Sequence, residues 1–201
     1  MESLNVFTAP RIIPAPEWAW QSASELSNAS VGGSGWNQNS AKVQRFSLRF
    51  PAENPSELDS GPRGSSILLV EDSVADVGLI REALAEHNVE GELLVISDGD
   101  EAIRFLQNLD AQAIVCPELV ILDLNLPKRS GREVLESIRK NWKCQDATVV
   151  ILSSSETPED KADALKLGAH HYMRKPSRLA EFLDLGAFFK QILAASRNPG
   201  S

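Results

Sequence analysis

From Ser65 onward the chain alternates short, almost wholly apolar runs with amphipathic stretches, and that alternation leaves few folds open. The runs are SILLVE (66–71), ELLVIS (92–97), LVILD (119–123), TVVILS (148–153) and the weaker HHYMR (170–174). Between them, Val77, Ile80, Ala83 and Leu84 make one helical stripe, Ala102, Ile103, Leu106 and Leu109 a second, and Val134, Leu135 and Ile138 a third. A fourth helix is predicted from near Pro158, a good first-turn residue, to Gly168. A fifth carries Leu179, Phe182, Leu183, Phe189, Ile192 and Leu193.

Strands that are apolar on both faces need cover on both faces. Five strand–helix alternations therefore predict an α/β fold, a doubly wound five-stranded parallel sheet flanked by five helices. Right-handed crossovers favour the flavodoxin-like strand order 2-1-3-4-5, in which ligands sit at the carboxyl ends of the strands. This domain is expected over residues 65–196, with 197–201 as a tail.

Residues 1–64 have a different texture. They are rich in Ser, Asn, Gly and Pro, as in GGSGWNQNS and PAENPSELDSGPRGSS, and predict a largely disordered extension. Two features qualify that reading: Trp18, Trp20 and Trp36 are three of the chain's four tryptophans, and KVQRFSLRF alternates well enough for an isolated strand. A docking segment is one use for such residues.

The net charge of −8 argues against nucleic acid or an anionic membrane as the main partner; the extension holds only five basic residues against six acidic ones. No stretch approaches the about 18 apolar residues of a membrane span, and no basic start precedes an apolar run. A cytoplasmic protein is expected. Cys116 and Cys144 lie 28 residues apart, without a CxxC or Cys/His cluster, and are read as buried or incidental thiols rather than as a zinc site or a disulfide.

The chemistry should lie at the carboxyl ends of the strands. There stand Glu71 and Asp72, Asp123, the run Ser153-Ser154-Ser155, and Lys175 followed by Pro176. Strands one and three are neighbours about 5 Å apart in the expected order, so three acids crowd together and need neutralising. Mg²⁺ suits such oxygens, Lys175 supplies a point charge, and Asp123 is the best-placed nucleophile for an aspartyl phosphate. Each residue alone has a plainer reading: Asp72 could cap a helix from about Asp76, Asp123 could begin a loop, and Lys175 could be a solvated surface lysine. The conjunction at four strand ends, in chain order, favours chemistry.

ILLVEDS, LVILDLNLPKRSG, VVILSSS and GAHHYMRKPS together resemble the receiver domain of two-component response regulators. VEDSVADVGLIREAL and DLNLPKRSGREVLESIR resemble a narrower, single-domain group often paired with phytochrome-type sensor kinases. The resemblance implies that Asp123 accepts a phosphoryl group from a sensor histidine kinase or a phosphotransfer protein. It implies that Glu71, Asp72, Asp123 and the backbone carbonyl of Asn125 hold Mg²⁺ or Mn²⁺. Lys175 and Ser153 would bind the phosphoryl oxygens and Tyr172 would be the switch aromatic; Ser154 and Ser155 would be accessory residues, Ser155 flanking the path of hydrolytic water with Asn125 and the small Ser154 leaving the phosphoryl site open. Glu71 and Ser153 replace the commoner Asp and Thr while keeping the chemistry. The Lys175–Pro176 bond resembles the family's cis peptide.

The implied function is a phosphorylation-controlled response regulator, a bacterial signalling protein rather than a turnover enzyme. With about 25 residues after Lys175, no output domain is expected, so signalling would run through protein–protein interaction, including a homodimer through the last helix. Two alternatives are an interaction module independent of phosphorylation and an aspartate-nucleophile phosphatase. The second usually needs another acid two residues past the nucleophile, where this chain has Asn125.

Overall fold

A computed structural model of the chain describes residues 43–48, 65–109 and 115–197. Six strands form one sheet: β1 (Gln44–Leu48), β2 (Ser65–Val70), β3 (Gly91–Ile96), β4 (Leu119–Leu122), β5 (Thr148–Ser153) and β6 (His171–Arg174). Five helices connect or flank them: α1 (Val74–Glu86), α2 (Gly99–Gln107), α3 (Gly131–Lys140), α4 (Pro158–Lys166) and α5 (Leu179–Arg197).

The sheet order is β1-β3-β2-β4-β5-β6. Strands β2 to β6 are parallel and reproduce the expected 2-1-3-4-5 arrangement. The sequence order reverses between β2 and β4, the pair that carries the first and third strand ends. In LVIL and ILLV all residues are buried, as strands covered on both faces require.

Two apolar layers sandwich the sheet. One face of β2–β5 packs with Ala102, Phe105 and Leu106 of α2, Val134, Leu135 and Ile138 of α3, and Ala164 of α4. The other packs with Ile80 and Leu84 of α1 and Phe182, Leu185, Phe189 and Leu193 of α5. Each fully buried Leu, Ile or Phe contributes roughly 1.5–3 kcal/mol, so the stripes that define the helices also fix their docking. Phe182 and Phe189 are core residues, while the half-buried Phe188 meets the His171 ring edge-on at 5.1 Å. Among the described residues, no helix is long and apolar enough to cross a membrane.

The sixth strand comes from KVQRFSLRF. Strand β1 pairs antiparallel with β3, Phe46 opposite Leu93 and Leu48 opposite Gly91. Phe46 and Leu48 pack against the α1/α5 layer, with the Arg81 guanidinium 4.1 Å from the Phe46 ring centre. The remainder of the expected extension, including Trp18, Trp20 and Trp36, and residues 198–201 of the expected tail lie outside the described residues.

Two expectations are corrected. Cys116 and Cys144 are joined in a disulfide, not free thiols. Their separation in sequence gave no hint of this, but their place in the fold does: Cys116 lies three residues before β4 and Cys144 four before β5, and these strands are paired with Leu119 opposite Thr148. The peptide bond before Pro176 is trans, the form that X–Pro bonds still favour by about 0.5–1 kcal/mol.

A disulfide closing a 28-residue separation restricts the unfolded chain. Reducing it, or replacing Cys116 with Ser, is expected to cost about 2–4 kcal/mol in urea unfolding, with the two treatments not additive. Equal midpoints with and without dithiothreitol would show that the bond contributes nothing.

Candidate functional site

The four chain segments that leave the carboxyl ends of β2, β4, β5 and β6 meet on one rim. Glu71 follows β2 directly; its N–H donates to the Ile96 carbonyl, and its side chain is buried at 2% exposure. Asp123 follows β4 in the same way, its N–H donating to the Val70 carbonyl, and is also buried. The sheet's own ladder thus delivers both acids to one edge, while Asp72 stays exposed beside them.

Lys175 reaches in from the loop after β6. Its backbone N–H donates to the Ser153 carbonyl at 2.8 Å, which fixes the base of the side chain. The Nζ then donates to Asp123 Oδ2 and Asp76 Oδ2, each at 2.7 Å, and lies 2.8 Å from Glu71 Oε2. Burial opposes the Lys175 charge, but the hydrogen bonds to Asp123, Asp76 and Glu71 outweigh it and hold the pKa above the ordinary lysine value. Burial pushes the Glu71 carboxyl up, against the Lys175 hydrogen bond and the Ser73 N–H, which lies 3.0 Å from Oε1. Such a pair is sustained only when each charge is partnered, as these are.

One oxygen from each of Glu71, Asp72 and Asp123 lies within 4.8 Å of the other two. Three hard carboxylate oxygens at that spacing, one of them open to solvent, fit a divalent cation that keeps some of its waters.

Local geometry holds Asp123 in place. The Asn125 N–H donates to its Oδ1 at 3.0 Å, and the Asn125 side-chain amide donates to Ser154 Oγ at 3.3 Å, spanning the mouth between the ends of β4 and β5. Behind it, α3 begins very close to Asp123: a Cβ on Gly131 would stand 2.1 Å from the Asp123 carbonyl oxygen, so only glycine fits. The fully buried Ser153 accepts the Ser155 N–H on its Oγ at 3.2 Å. Tyr172, half-buried, donates its hydroxyl to the Ser155 carbonyl at 3.1 Å, and Ser155 Oγ bonds Asp160 Oδ2. Glu71, Asp72, Asp123 and Lys175 are therefore one cluster, and Ser153, Ser155 and Tyr172 a second string beside it. Among the described residues no hydrogen bond joins Ser153 Oγ to Asp123.

Sequence reasoning missed two contributors. Asp76 was read only as a helix start; the cap of α1 is Ser73, whose Oγ accepts the Asp76 N–H, and neither Asp72 nor Asp76 serves as the cap. Asp98 caps α2 and reaches the loop that follows Asp123, where Lys128 donates to its Oδ2 at 2.6 Å. Lys128 has φ 65, a left-handed conformation that costs a residue with a Cβ about 1–2 kcal/mol, so its bond to Asp98 holds a strained turn. Gly99 completes the strap: its N–H donates to the Pro127 carbonyl, and a Cβ there would meet the Arg129 carbonyl at 2.0 Å. The pattern SDGD at 97–100 was the available signal, a helix cap followed by a glycine.

Residues 67–185 match the response regulator receiver domain. The chain belongs to that family. This receiver is 38% identical over 120 residues to response regulator Rcp1 of Synechocystis sp., covering 59% of this chain and 82% of that protein. It is 33% identical over 138 residues to a probable methanogenesis regulatory protein, FilR2, of Methanothrix harundinacea, covering 67% and 87% respectively. Among solved structures, the phosphorylated cyanobacterial phytochrome response regulator RcpA is similar at TM-score 0.60 and 34% identity, covering 66% of this chain and 96% of that one. The Mn²⁺-bound form of Rcp1 follows at TM-score 0.57 and 36% identity, covering 62% and 91%. The receiver is thus a phosphorylation-controlled signalling protein of the two-component type, with the flavodoxin-like fold of these neighbours.

The strap that steadies this receiver's acidic loop is pH-dependent. Burial alone would raise the Asp98 carboxyl, but the Lys128 hydrogen bond and the Glu101 N–H hold it below the ordinary value of 3.8. A depressed folded-state value stabilises the fold above 3.8 and loses that contribution as pH falls through the folded value. Asp98→Ala is therefore expected to cost about 1 kcal/mol at neutral pH, the deficit narrowing as acid titrates the wild type. A deficit that stays constant down to the acid-unfolding limit would assign the effect to packing alone.

Proposed function

We propose that Asp123 is the phosphoacceptor, with the divalent cation held by Glu71, Asp72, Asp123 and the backbone carbonyl of Asn125. The observation that carries this is the Lys175 ammonium 2.7 Å from Asp123 Oδ2, with three carboxylates gathered at the same strand ends. The Mn²⁺-bound Rcp1 structure supports a metal of this kind, Mg²⁺ or Mn²⁺. When bound, the cation offsets negative charge on the incoming phosphoryl oxygens.

The chain's own residues supply the remainder. A carboxylate oxygen of Asp123 attacks phosphorus, the phosphorus–nitrogen bond to the donor histidine breaks, and its electron pair stays on the imidazole. The Lys175 N–H now shared with Asp123 is released to a phosphoryl oxygen. The Ser153 hydroxyl, at present an acceptor from the Ser155 N–H, turns to donate to another. Because Tyr172 is tied to the Ser155 carbonyl, this movement reaches the aromatic and the surface of the β5–α4 loop. Hydrolysis returns phosphate: water attacks phosphorus along the path flanked by Asn125 and Ser155, past the small Ser154, and the Asp123 carboxylate leaves. Self-phosphorylation and self-dephosphorylation are then properties of a signalling protein, with each cycle started by its partner.

The donor on this reading is a sensor histidine kinase of phytochrome type, or a phosphotransfer protein, in the cytoplasm. Similarity to the phytochrome response regulator RcpA supports the phytochrome assignment. Output on this reading runs through self-association by α5, favoured by Leu179 at 55% exposure with the half-buried Leu183 one turn on. Sedimentation velocity with and without a phosphoryl donor checks it, and a single monomeric species in both samples excludes it.

Phosphoacceptance is tested with Mg²⁺ and acetyl phosphate. Intact-mass spectrometry is expected to show the gain of one phosphoryl group in wild type and none in Asp123→Asn. Equal labelling of the two proteins, or none of the wild type, refutes the assignment.

A further inference from the structure

The Lys175 ammonium has three N–H donors, and three carboxylates take them: Asp123 Oδ2, Glu71 Oε2 and Asp76 Oδ2. Asp123 and Glu71 belong to the acidic rim. Asp76 comes from another element, the first turn of α1, and its side chain is 23% exposed against 14% for Lys175.

An acid at this helical position ordinarily turns back to the cap. In α3 that happens: Ser130 and Glu133 form a complete capping box, with the Ser130 N–H donating to Glu133 Oε2 at 2.9 Å. In α1 the corresponding cap is Ser73, but its N–H is already donated to Glu71 Oε1 at 3.0 Å. Asp76 is thereby released from capping, and its carboxylate goes to Lys175 instead. One acid of the rim, Glu71, thus frees another, Asp76, to hold the lysine.

We infer that Asp76 is a positioning residue for phosphoryl transfer, acting through Lys175. This rests on Asp123 as phosphoacceptor. When Asp123 becomes an acyl phosphate its carboxylate no longer claims an ammonium N–H, and a cation at the rim draws on Glu71. Asp76 is the carboxylate with no other assignment, so it keeps the ammonium aimed at the reacting oxygen before and after transfer. Without it, Lys175 is a long flexible stem with its competing partners all on the metal side.

The test is a double-mutant cycle read by the rate of mass gain with Mg²⁺ and acetyl phosphate. Asp76→Ala is expected to slow phosphorylation about 10-fold, an interaction of the size that contacting residues show. Asp76→Asn, which keeps an oxygen for the lysine, should restore the rate to within about 3-fold, and in a Lys175→Ala background neither change should matter. A second arm needs no phosphoryl donor: in ¹⁵N-lysine-labelled, metal-free protein, the ammonium signal that disappears in Lys175→Ala should persist in Asp76→Asn and be lost to solvent exchange in Asp76→Ala. An unchanged rate in Asp76→Ala, the same slowing with and without Lys175, or an ammonium signal that survives Asp76→Ala overturns the inference. If wild type takes up no phosphoryl group, the acceptor reading fails by itself, and the ammonium signal alone decides the role of Asp76.

Discussion

Four carboxylates, those of Glu71, Asp72, Asp76 and Asp123, converge on one rim of the sheet, and the ammonium of Lys175 offsets the repulsion among three of them directly. Most other features of the domain serve that contact. The β2–β4 pairing sets Glu71 beside Asp123, the Ser153 carbonyl fixes the lysine's backbone, and the tight approach of Gly131 keeps the acid's loop against the sheet. A buried ion pair is a weak contributor to net stability, because desolvation consumes most of the Coulomb gain. On the proposed reading its value is functional: the charges would already be ordered and partly dry when a phosphoryl group arrives, leaving little reorganisation for the transfer step.

Much of this was legible in the sequence, for a physical reason. Parallel strands are buried on both faces, so LVIL and ILLV announce themselves, and the carboxyl end of each strand is then the residue after the apolar run. Glu71, Asp123 and Ser153 could be read from that rule, and Lys175 from its place after the weaker HYMR strand. What escaped were features that depend on which backbone group is already taken. Asp76 looks like any acid in a first helical turn until the Ser73 N–H is seen to be occupied, and Asp98 looks like any helix cap until Lys128 is seen above it. The disulfide escaped because sequence distance says nothing of strand neighbours; the pairing of β4 with β5 is what brings the two cysteine-bearing segments side by side. Strand β1 was visible as a strand but not as a partner of β3, since alternation specifies a face and not a neighbour.

The edge strand alters the usual economy of such a sheet. A parallel sheet has two rows of unpaired backbone groups at its margins, and an exposed row is a template for unwanted pairing. In this chain Gln44–Leu48 covers the margin at β3, pinned by Phe46 against the α1/α5 layer and by the Arg45–Glu92 ion pair at 3.2 Å. An exposed pair of this kind adds little energy, so the apolar contacts of Phe46 and Leu48 carry the attachment.

The disulfide joins the segments before β4 and β5, at the opposite end of the sheet from Asp123, and Arg139 stitches the same end by donating to the carbonyls of Ala147 and Gly168. The covalent restraint therefore sits at the end of the sheet away from Asp123. Opening free energy should be graded along the strands, highest at their amino ends and lowest at the rim. On the proposed reading such a gradient would let the Ser153–Tyr172 string rearrange without loosening the sheet that aims it.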